Sequence, residues 1–274
     1  MEQKRWLLFS AAALIVIVFL TFLVLNIKKS KAPLSIDQSK SGSISSLLAQ
    51  AKSLEMAGSF LEAKEAYQKL VNDFSNSGEI MNWQKKVESL NIKLLFSPAI
   101  TAHSILYEIK PGDTLTKIAK EYNTTTDLMM KSNNLNDDKI LPGRKIKAWT
   151  APFSIVVDKS QNTLILKTDE EIIKTYIVST GANNSTPTGN FKIVNKLQNP
   201  PWYKAGAIVP PDNPENILGS RWLGFDSPGY GIHGTTDPQS LGRQVTKGCI
   251  RMSNADVEEL YTIIPVGTEV TIID

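Results

Sequence analysis

The sequence predicts a multidomain protein of the α+β class, helical in its N-terminal part and mainly β in its C-terminal part. Three observations support this prediction. An uncharged apolar run lies near the N-terminus, and apolar residues recur at helical spacing between residues 44 and 96. Segments rich in Val, Ile and Thr, broken by turn residues, fill residues 152–274. A length of 274 residues is enough for one to three folded domains.

The composition argues against several classes of protein. The chain has 30 basic and 27 acidic residues, and this net charge of +3 is too small to indicate a nucleic-acid partner. A single cysteine excludes an intrachain disulfide. The sequence also has no cluster of Cys and His at the spacing of a zinc site. We therefore expect no nucleic acid, no metal and no other cofactor.

The apolar run from Trp6 to Ile27 predicts a transmembrane helix. As a helix it is long enough to cross a hydrocarbon core of about 30 Å. It exceeds the usual apolar region of a cleaved signal peptide, and no small-x-small site follows it. We interpret residues 1–27 as an uncleaved signal anchor rather than a buried core helix. Basic residues flank both ends, so charge alone does not set its orientation.

Residues 28–43 have the composition of a linker, and a helical unit follows at residues 44–96. The linker is polar and rich in Ser and Lys. In the helical unit, the phrase from Ala57 to Ala63 resembles a tetratricopeptide hairpin. About one and a half such repeats are visible, and these repeats need at least three copies to bury a continuous core. The unit must therefore pack against a second copy, a partner protein or the rest of the chain, unless it is a plain helical spacer.

Residues 104–149 predict the order strand, turn, helix, helix, strand. One Pro-Gly pair lies in the turn after the first strand, and another comes shortly before the second strand. Asp113 is placed to cap the first helix. His103 lies in the joint before this module, and we expect it to be a solvated linker residue.

Four short motifs in this module resemble the LysM (lysin motif) domain. They are Pro111-Gly-Asp-Thr-Leu115, Ile118-Ala119, Asn133-Asn-Leu135 and Pro142-Gly143. LysM domains are β-α-α-β folds that bind N-acetylglucosamine-containing glycans, usually peptidoglycan or chitin. The resemblance implies that residues 104–149 tether the chain to its polymer. A degenerate spacer without glycan affinity is the alternative.

Residues 152–274 predict a mainly β domain, either a sandwich or an open barrel, interrupted by one helix. Short strand candidates alternate with Asp, Gly, Asn and Pro turns. The helix is expected after Ser253-Asn-Ala-Asp256, which fits a capping box. Its apolar residues recur on one face.

Cys249 and His233 are the candidate chemical groups of this domain. Cys249 is the only cysteine, and His233 is one of two histidines. A thiolate nucleophile and an imidazole base suffice for covalent acyl transfer. Gly248 and Gly234 adjoin them, and glycines allow backbone amides to approach a developing oxyanion. A Cys and a His on their own would more often be structural, so the surrounding motifs have to support the catalytic interpretation.

Four motifs in this domain together resemble the catalytic domain of L,D-transpeptidases. They are Thr186-Pro-Thr-Gly-Asn-Phe191, Asn199-Pro-Pro-Trp-Tyr203, Tyr230-Gly-Ile-His-Gly-Thr235 and Lys247-Gly-Cys-Ile-Arg-Met252. The resemblance implies that Cys249 is the nucleophile and His233 its base. It implies oxyanion or loop support from a further set of residues, namely Gly248, Gly234, Thr235 and Arg251. Family members often have Ser-His-Gly-Cys where this chain has Thr246-Lys-Gly-Cys249, and Lys247 has no assigned role.

The same resemblance implies a cell-wall enzyme. Cys249 would attack the carbonyl between the third residue of a stem tetrapeptide and its terminal D-Ala. An amine of a neighbouring stem peptide would resolve the thioester and form a 3→3 cross-link. Water as the acceptor would give L,D-carboxypeptidase activity, and a lysine amine would attach a lipoprotein to the wall. A non-catalytic peptidoglycan-binding protein is the remaining alternative.

A chain that acts on peptidoglycan must lie outside the cytoplasmic membrane. We therefore expect a single-pass protein of the bacterial cytoplasmic membrane, with residues 28–274 in the periplasm or cell-wall space. The expected partners are peptidoglycan, bound through its glycan and its stem peptides, and the membrane. A protein partner stays one interpretation of the helical unit.

Overall fold

The computed structural model of the chain describes residues 38–204 and 206–274, with side chains from residue 42. Residues 47–274 form one compact unit. The predicted anchor, residues 1–27, lies outside the described residues, as do residues 28–37 of the predicted linker. In the part of the chain that is described, no helix is both long enough and apolar enough to cross a membrane.

Three helices come first in the described chain: α1 (Gln38–Met56), α2 (Phe60–Asp73) and α3 (Ile80–Leu95). The first helix begins inside the predicted linker, so residues 38–43 are helical rather than unstructured. No proline lies between residues 34 and 97 to stop it. Gln38 and Lys40 are good helix formers, whereas the other four residues of this segment, three Ser and Gly42, are poorer ones, so local composition did not predict the helix.

The next module has the β-α-α-β order that the sequence predicted. Its elements are β1 (Ser104–Glu108), α4 (Leu115–Glu121), α5 (Thr126–Ser132) and β2 (Lys145–Trp149), with β1 and β2 antiparallel. A core of its own lies between them and includes Ile109, Leu115, Ile118, Met129 and Ile146.

The cap of α4 differs from the prediction. Thr114, not Asp113, is the N-cap, and its side chain accepts a hydrogen bond from the Lys117 amide at 3.2 Å. Asp113 accepts instead from the Tyr107 hydroxyl and the Lys110 amide, each at 2.8 Å. The prediction for Asp113 was wrong because this carboxylate closes the turn after β1, one residue before the helix boundary.

In its described residues the C-terminal domain consists of strands, one α-helix and two short 3₁₀ helices, Ala182–Asn184 and Pro238–Ser240. The strands are β3 (Phe153–Asp158), β4 (Thr163–Thr168), β5 (Glu171–Ile177), β6 (Thr180–Gly181), β7 (Gly189–Gln198), β8 (Trp202–Lys204), β9 (Ala207–Val209), β10 (Arg221–Phe225), β11 (Gly231–His233), β12 (Gln244–Thr246), β13 (Ile250–Arg251) and β14 (Glu269–Ile273). The helix is α6 (Asn254–Ile263), and Ser253 caps it as predicted, accepting from the Asp256 amide at 3.0 Å.

Eight of these strands form one sheet, here called the large sheet, in the order β13-β11-β10-β7-β14-β3-β4-β5. An antiparallel bridge joins Ser179, just after the edge strand β5, to Arg251 in the opposite edge strand β13. The large sheet therefore curls until its two ends meet, which corresponds to the barrel of the two predicted alternatives. The remaining strands pair as β6 with β12 and β8 with β9.

The helical unit packs against the rest of the chain, which was one of its three predicted solutions. Helix α3 lies beside β5, where the Asn91 side-chain amide donates to the carbonyls of Ile172 and Ile173 at 3.1 Å each. Leu95 at the end of α3 belongs to the core of the C-terminal domain. These contacts bury the apolar face that one and a half repeats by themselves would leave exposed to solvent.

The LysM-like module also packs against both neighbours. Leu128 of α5 is part of the core of the C-terminal domain. The Lys147 ammonium is buried, and it donates to the carbonyls of Leu94 and Ser97 at 2.7 and 3.0 Å, near the C-terminal end of α3. Burial lowers the pKa of Lys147 to about 8.

His103 is not the solvated linker residue that the sequence predicted. Its side chain is 27% exposed, and Nε2 lies 3.3 Å from the Glu171 carboxylate at the start of β5. Its ring is 5.5 Å from that of Trp149. The prediction failed because Glu171 and Trp149 come to lie beside the His103 ring when the modules pack, and the local sequence does not report these contacts.

Candidate active site

The relative position of Cys249 and His233 follows from strand register. Strands β11 and β13 are parallel, with Ile232 opposite Ile250 and His233 opposite Arg251. Continued one residue back, this register places Cys249 opposite Gly231. Ile232 and Ile250 are both 0% exposed in the core, so the alternation of side chains puts Cys249 and His233 together on the other face. The Cα atoms of Cys249 and His233 are separated by one strand spacing, about 4.8 Å, across the sheet. Along the strand direction they are separated by two residues, about 6.6 Å.

The thiol of Cys249 is half-buried and neutral at rest. Its Sγ–H donates to the Gly229 carbonyl at 3.4 Å. Burial raises the pKa of Cys249 above its ordinary value, while the Gly231 backbone and the Arg251 charge oppose that rise.

His233 is held in one tautomer. Its ring is 3% exposed, and Nδ1 lies 2.7 Å from the Gly234 carbonyl oxygen. A carbonyl oxygen only accepts, so Nδ1 carries the proton of the neutral ring and the lone pair is on Nε2. The Gly234 carbonyl is therefore the group that orients the imidazole ring. The Trp222 ring stacks on the imidazole at 6.1 Å.

The surroundings of His233 keep it unprotonated. Burial lowers the pKa of His233 to about 4, and the positive charge of Arg251 acts in the same direction. The carbonyls of Gly234 and Leu218 oppose the shift by hydrogen bonding. A neutral imidazole can accept a thiol proton as the sulfur attacks, which is the behaviour of a general base.

Gly248 supports the turn that presents Cys249. Its φ of +126° is a conformation that side chains rarely adopt, and a Cβ there would lie 2.7 Å from the Tyr230 ring. The Gly248 amide donates to the Thr246 hydroxyl at 3.2 Å, and that hydroxyl donates to the Cys249 carbonyl at 2.6 Å. Because the Gly248 amide is engaged, the Cys249 amide is the better candidate for an oxyanion donor of the two. Sequence reasoning missed Thr246, although a hydroxyl at the start of a tight turn was a usable signal.

Thr235 and Arg251 also hold loops around the dyad. The Thr235 hydroxyl accepts from the Asp237 amide at 2.9 Å, and its own amide donates to Asn254 at 3.0 Å. The Arg251 guanidinium donates to the Ser240 hydroxyl at 2.8 Å and lies 3.9 Å from the Asp237 carboxylate. Of the two roles that the sequence left open for Arg251, these contacts favour loop support. Asn254 was missed, because the sequence had assigned its segment only to helix capping.

The other residues that the sequence singled out lie in different settings. Lys247 is exposed beside the turn. Tyr230 packs partly against the core, whereas Tyr203 is 71% exposed on the β8–β9 hairpin. Within the described residues, no three His, Cys, Asp or Glu side chains form a group that could hold a metal ion.

Comparison with known proteins adds family information to this geometry. The model of the L,D-transpeptidase catalytic domain (YkuD) matches residues 152–272, and that of the LysM domain matches residues 107–149. YkuD of Bacillus subtilis (strain 168), which bears an L,D-transpeptidase name, is 37% identical over 175 residues, covering 61% of this chain and 98% of that protein. YqjB of the same organism, named likewise, is 41% identical over 126 residues, covering 44% of this chain and 70% of that protein.

Proposed function

The chain belongs to the L,D-transpeptidase family and contains a LysM domain, and from this premise we propose that it forms 3→3 cross-links in peptidoglycan through a cysteine thioester. One observation carries the proposal. The register of β11 and β13 places Cys249, in the bend before β13, beside the strand that carries His233, and the Gly234 carbonyl keeps the proton on Nδ1 of His233, so that Nε2 is the ring nitrogen that would accept the thiol proton.

In the acylation step, Cys249 Sγ attacks the carbonyl carbon between residue three of a stem tetrapeptide and the terminal D-Ala. His233 Nε2 takes the thiol proton as the S–C bond forms. The carbonyl oxygen becomes an oxyanion, for which the Cys249 amide is the candidate donor. When the intermediate collapses, the C–N bond breaks and His233 returns the proton to the departing D-Ala amine.

In the second step, an amine of a neighbouring stem peptide attacks the thioester. His233 takes a proton from this amine, the new C–N bond forms, and the S–C bond breaks. The proton then returns to the Cys249 sulfur, so the enzyme is regenerated without any net redox change. Water at the same point would give carboxypeptidase activity, and a lysine amine would give lipoprotein attachment.

We further propose that the chain acts on the outer side of the bacterial cytoplasmic membrane. Three features support this location: the apolar run from Trp6 to Ile27, the LysM domain for the glycan, and a polymeric substrate that lies outside the membrane. In this arrangement the anchor holds the chain at the membrane, while the LysM domain and the dyad act on the same polymer. A reporter fused after Asp274 tests it, and activity of the reporter only in the cytoplasm would reject it.

The decisive experiment compares muropeptides from cells that carry the wild-type chain or Cys249→Ala. Mass spectrometry should show 3→3 dimers with the wild type and their loss with the variant. Unchanged 3→3 cross-linking in the variant would reject the thioester mechanism. Accumulated tripeptides, or stem peptides joined to a lipoprotein, would instead identify water or lysine as the acceptor.

A further inference from the structure

Asn254, the first residue of α6, joins two backbone segments that are far apart in sequence. Its side-chain oxygen accepts from the Ser220 amide at 3.2 Å and from the Thr235 amide at 3.0 Å. Both partners are donors, so the oxygen of this side chain, rather than its nitrogen, must face them. One acceptor therefore ties the segment before β10 to the segment after β11.

Two glycines make this close approach possible. A Cβ at Gly219 or at Gly234 would lie 2.2 Å from the Asn254 oxygen, which is far inside contact distance. The Cβ at Gly219 would also lie 2.6 Å from the Gly234 carbonyl carbon. The two segments thus pack backbone against backbone, with the Asn254 amide wedged between them. Any larger residue at either position would displace this side chain.

The same two segments supply the backbone groups that surround the His233 ring. The Gly234 carbonyl accepts from His233 Nδ1 at 2.7 Å and adjoins Thr235. The Leu218 carbonyl, next to Gly219, is the second backbone group that hydrogen-bonds the ring. Asn254 therefore contacts the segments that hold the base, without contacting the base itself.

We propose that Asn254 is a positioning residue, which holds the Gly219–Ser220 and Gly234–Thr235 segments so that the Gly234 carbonyl keeps His233 in its Nδ1–H tautomer. The inference rests on the proposed function of the dyad, since it assigns the residue that keeps the proposed base ready. Helix capping does not explain the contact, because Ser253 caps α6. The Asn254 oxygen is directed at other strands.

The test uses the full chain and three variants. Asn254→Ala removes the acceptor, and Asn254→Asp keeps an acceptor oxygen but adds a negative charge. Ser253→Ala is the matched control, since it weakens the start of α6 by one residue's cap and leaves the Asn254 contacts in place. Thermal unfolding of all three shows how much of any effect is loss of folding.

The first readout is the tautomer of His233 in ¹⁵N-histidine NMR spectra, with His103 as an internal reference. We expect a single Nδ1–H tautomer in the wild type and in Ser253→Ala, and a mixture in Asn254→Ala. A wild-type tautomer in Asn254→Ala would overturn the proposal. This readout does not depend on transpeptidation, so it stands even if the chain proves not to cross-link peptidoglycan.

The second readout is the pH dependence of Cys249 acylation by a stem tetrapeptide, followed by intact mass. Asn254→Ala should slow acylation by about 10- to 100-fold, the usual loss for a misplaced catalytic group. Asn254→Asp should restore most of the rate, and its acid limb should move to higher pH because the added carboxylate favours protonated His233. An equal loss in Ser253→Ala, or an unmoved acid limb in Asn254→Asp, would overturn the proposal. Absence of acylation in the wild type would count against the proposed function and not against the tautomer result.

Discussion

The two edges of the large sheet are built in opposite ways. At one edge, β5 is seven residues long, and helix α3 covers it through the Asn91 hydrogen bonds and through Glu88, which accepts from Thr175. At the other edge, β13 has only two residues and begins directly after Cys249. A covered edge resists pairing with other chains, whereas a short strand between turns leaves room for a reactive side chain.

The chain's two histidines lie near different edges of the large sheet, His233 in the strand next to β13 and His103 beside β5, and their partners differ. His103, near β5, faces the carboxylates of Glu171 and Asp169 at 3.3 and 3.8 Å. His233, in β11, faces backbone carbonyls and an aromatic ring. His103 therefore contacts acidic side chains at the joint between modules, whereas the Gly234 carbonyl fixes the tautomer of the buried His233 ring. Histidine thus supports packing near one edge of the large sheet and chemistry near the other.

The largest effect should come from replacing the two histidines separately. His233→Gln should reduce acylation of Cys249 by about 10²- to 10⁴-fold, the usual contribution of a general base. His103→Gln should leave acylation within a few-fold of the wild type, since its contacts are structural. Rapid-quench mass spectrometry of both variants measures the acylation rates. Similar losses in the two variants would contradict the different roles of His233 and His103.

A smaller effect should come from Gly248→Ala at the reactive edge. The new methyl group would meet the Tyr230 ring and the backbone would be strained at its φ of +126°, so Cys249 should shift. We expect acylation about 10- to 100-fold slower.

Gly267→Ala is the control for this glycine. Its φ is +95°, but a Cβ there has no atom within 4 Å. Gly267→Ala therefore introduces backbone strain without a steric clash. It should lower the melting temperature more than it slows acylation. Equal acylation rates in the two variants would show that the Tyr230 contact does not position Cys249.

The pH dependence should be flat across neutral pH and fall only in acid. The pKa of His233 is lowered from 6.5 to about 4, so the base stays neutral above that value. Acylation should then fall by about tenfold for each pH unit below 4. Because the unfolded chain binds this proton first, folding stability should also decline as pH falls from about 6.5 to about 4. A rate maximum confined to the range between 6 and 8, or thiolate absorbance at pH 7, would contradict the neutral dyad.

The smallest effect on activity should come from the covered edge. Asn91→Leu removes the donor to two carbonyls of β5, and such unsatisfied buried groups cost about 1–3 kcal/mol of folding free energy. Acylation should stay close to the wild-type rate. Asn72→Ala, which loses only an exposed contact to Gln68, is the control and should change stability by less than about 0.5 kcal/mol. Urea unfolding measures both, and equal stabilities would show that α3 does not protect β5.

Much of this protein was determined by the sequence itself. The order of the modules, the β-α-α-β pattern and the Ser253 cap depend on residues a few positions apart, and local spacing reports them directly. The motifs around Cys249 and His233 identified the family, because glycine-bearing turns beside a thiol and an imidazole are specific in combination. Residues 38–43 show the limit of this approach, since polar composition was compatible with a helix as well as a linker.

Only the tertiary structure decided how the modules support one another and the dyad. Asn91 bonds a carbonyl 81 residues away, and Asn254 bonds an amide 34 residues away. His103 contacts Glu171 and Trp149 only after the modules pack. The neutral state of the dyad likewise depends on burial, which many distant residues create together. Such hydrogen bonds and pKa shifts depend on residues that the fold brings together from distant parts of the chain. No pattern of nearby residues in the sequence therefore predicts them.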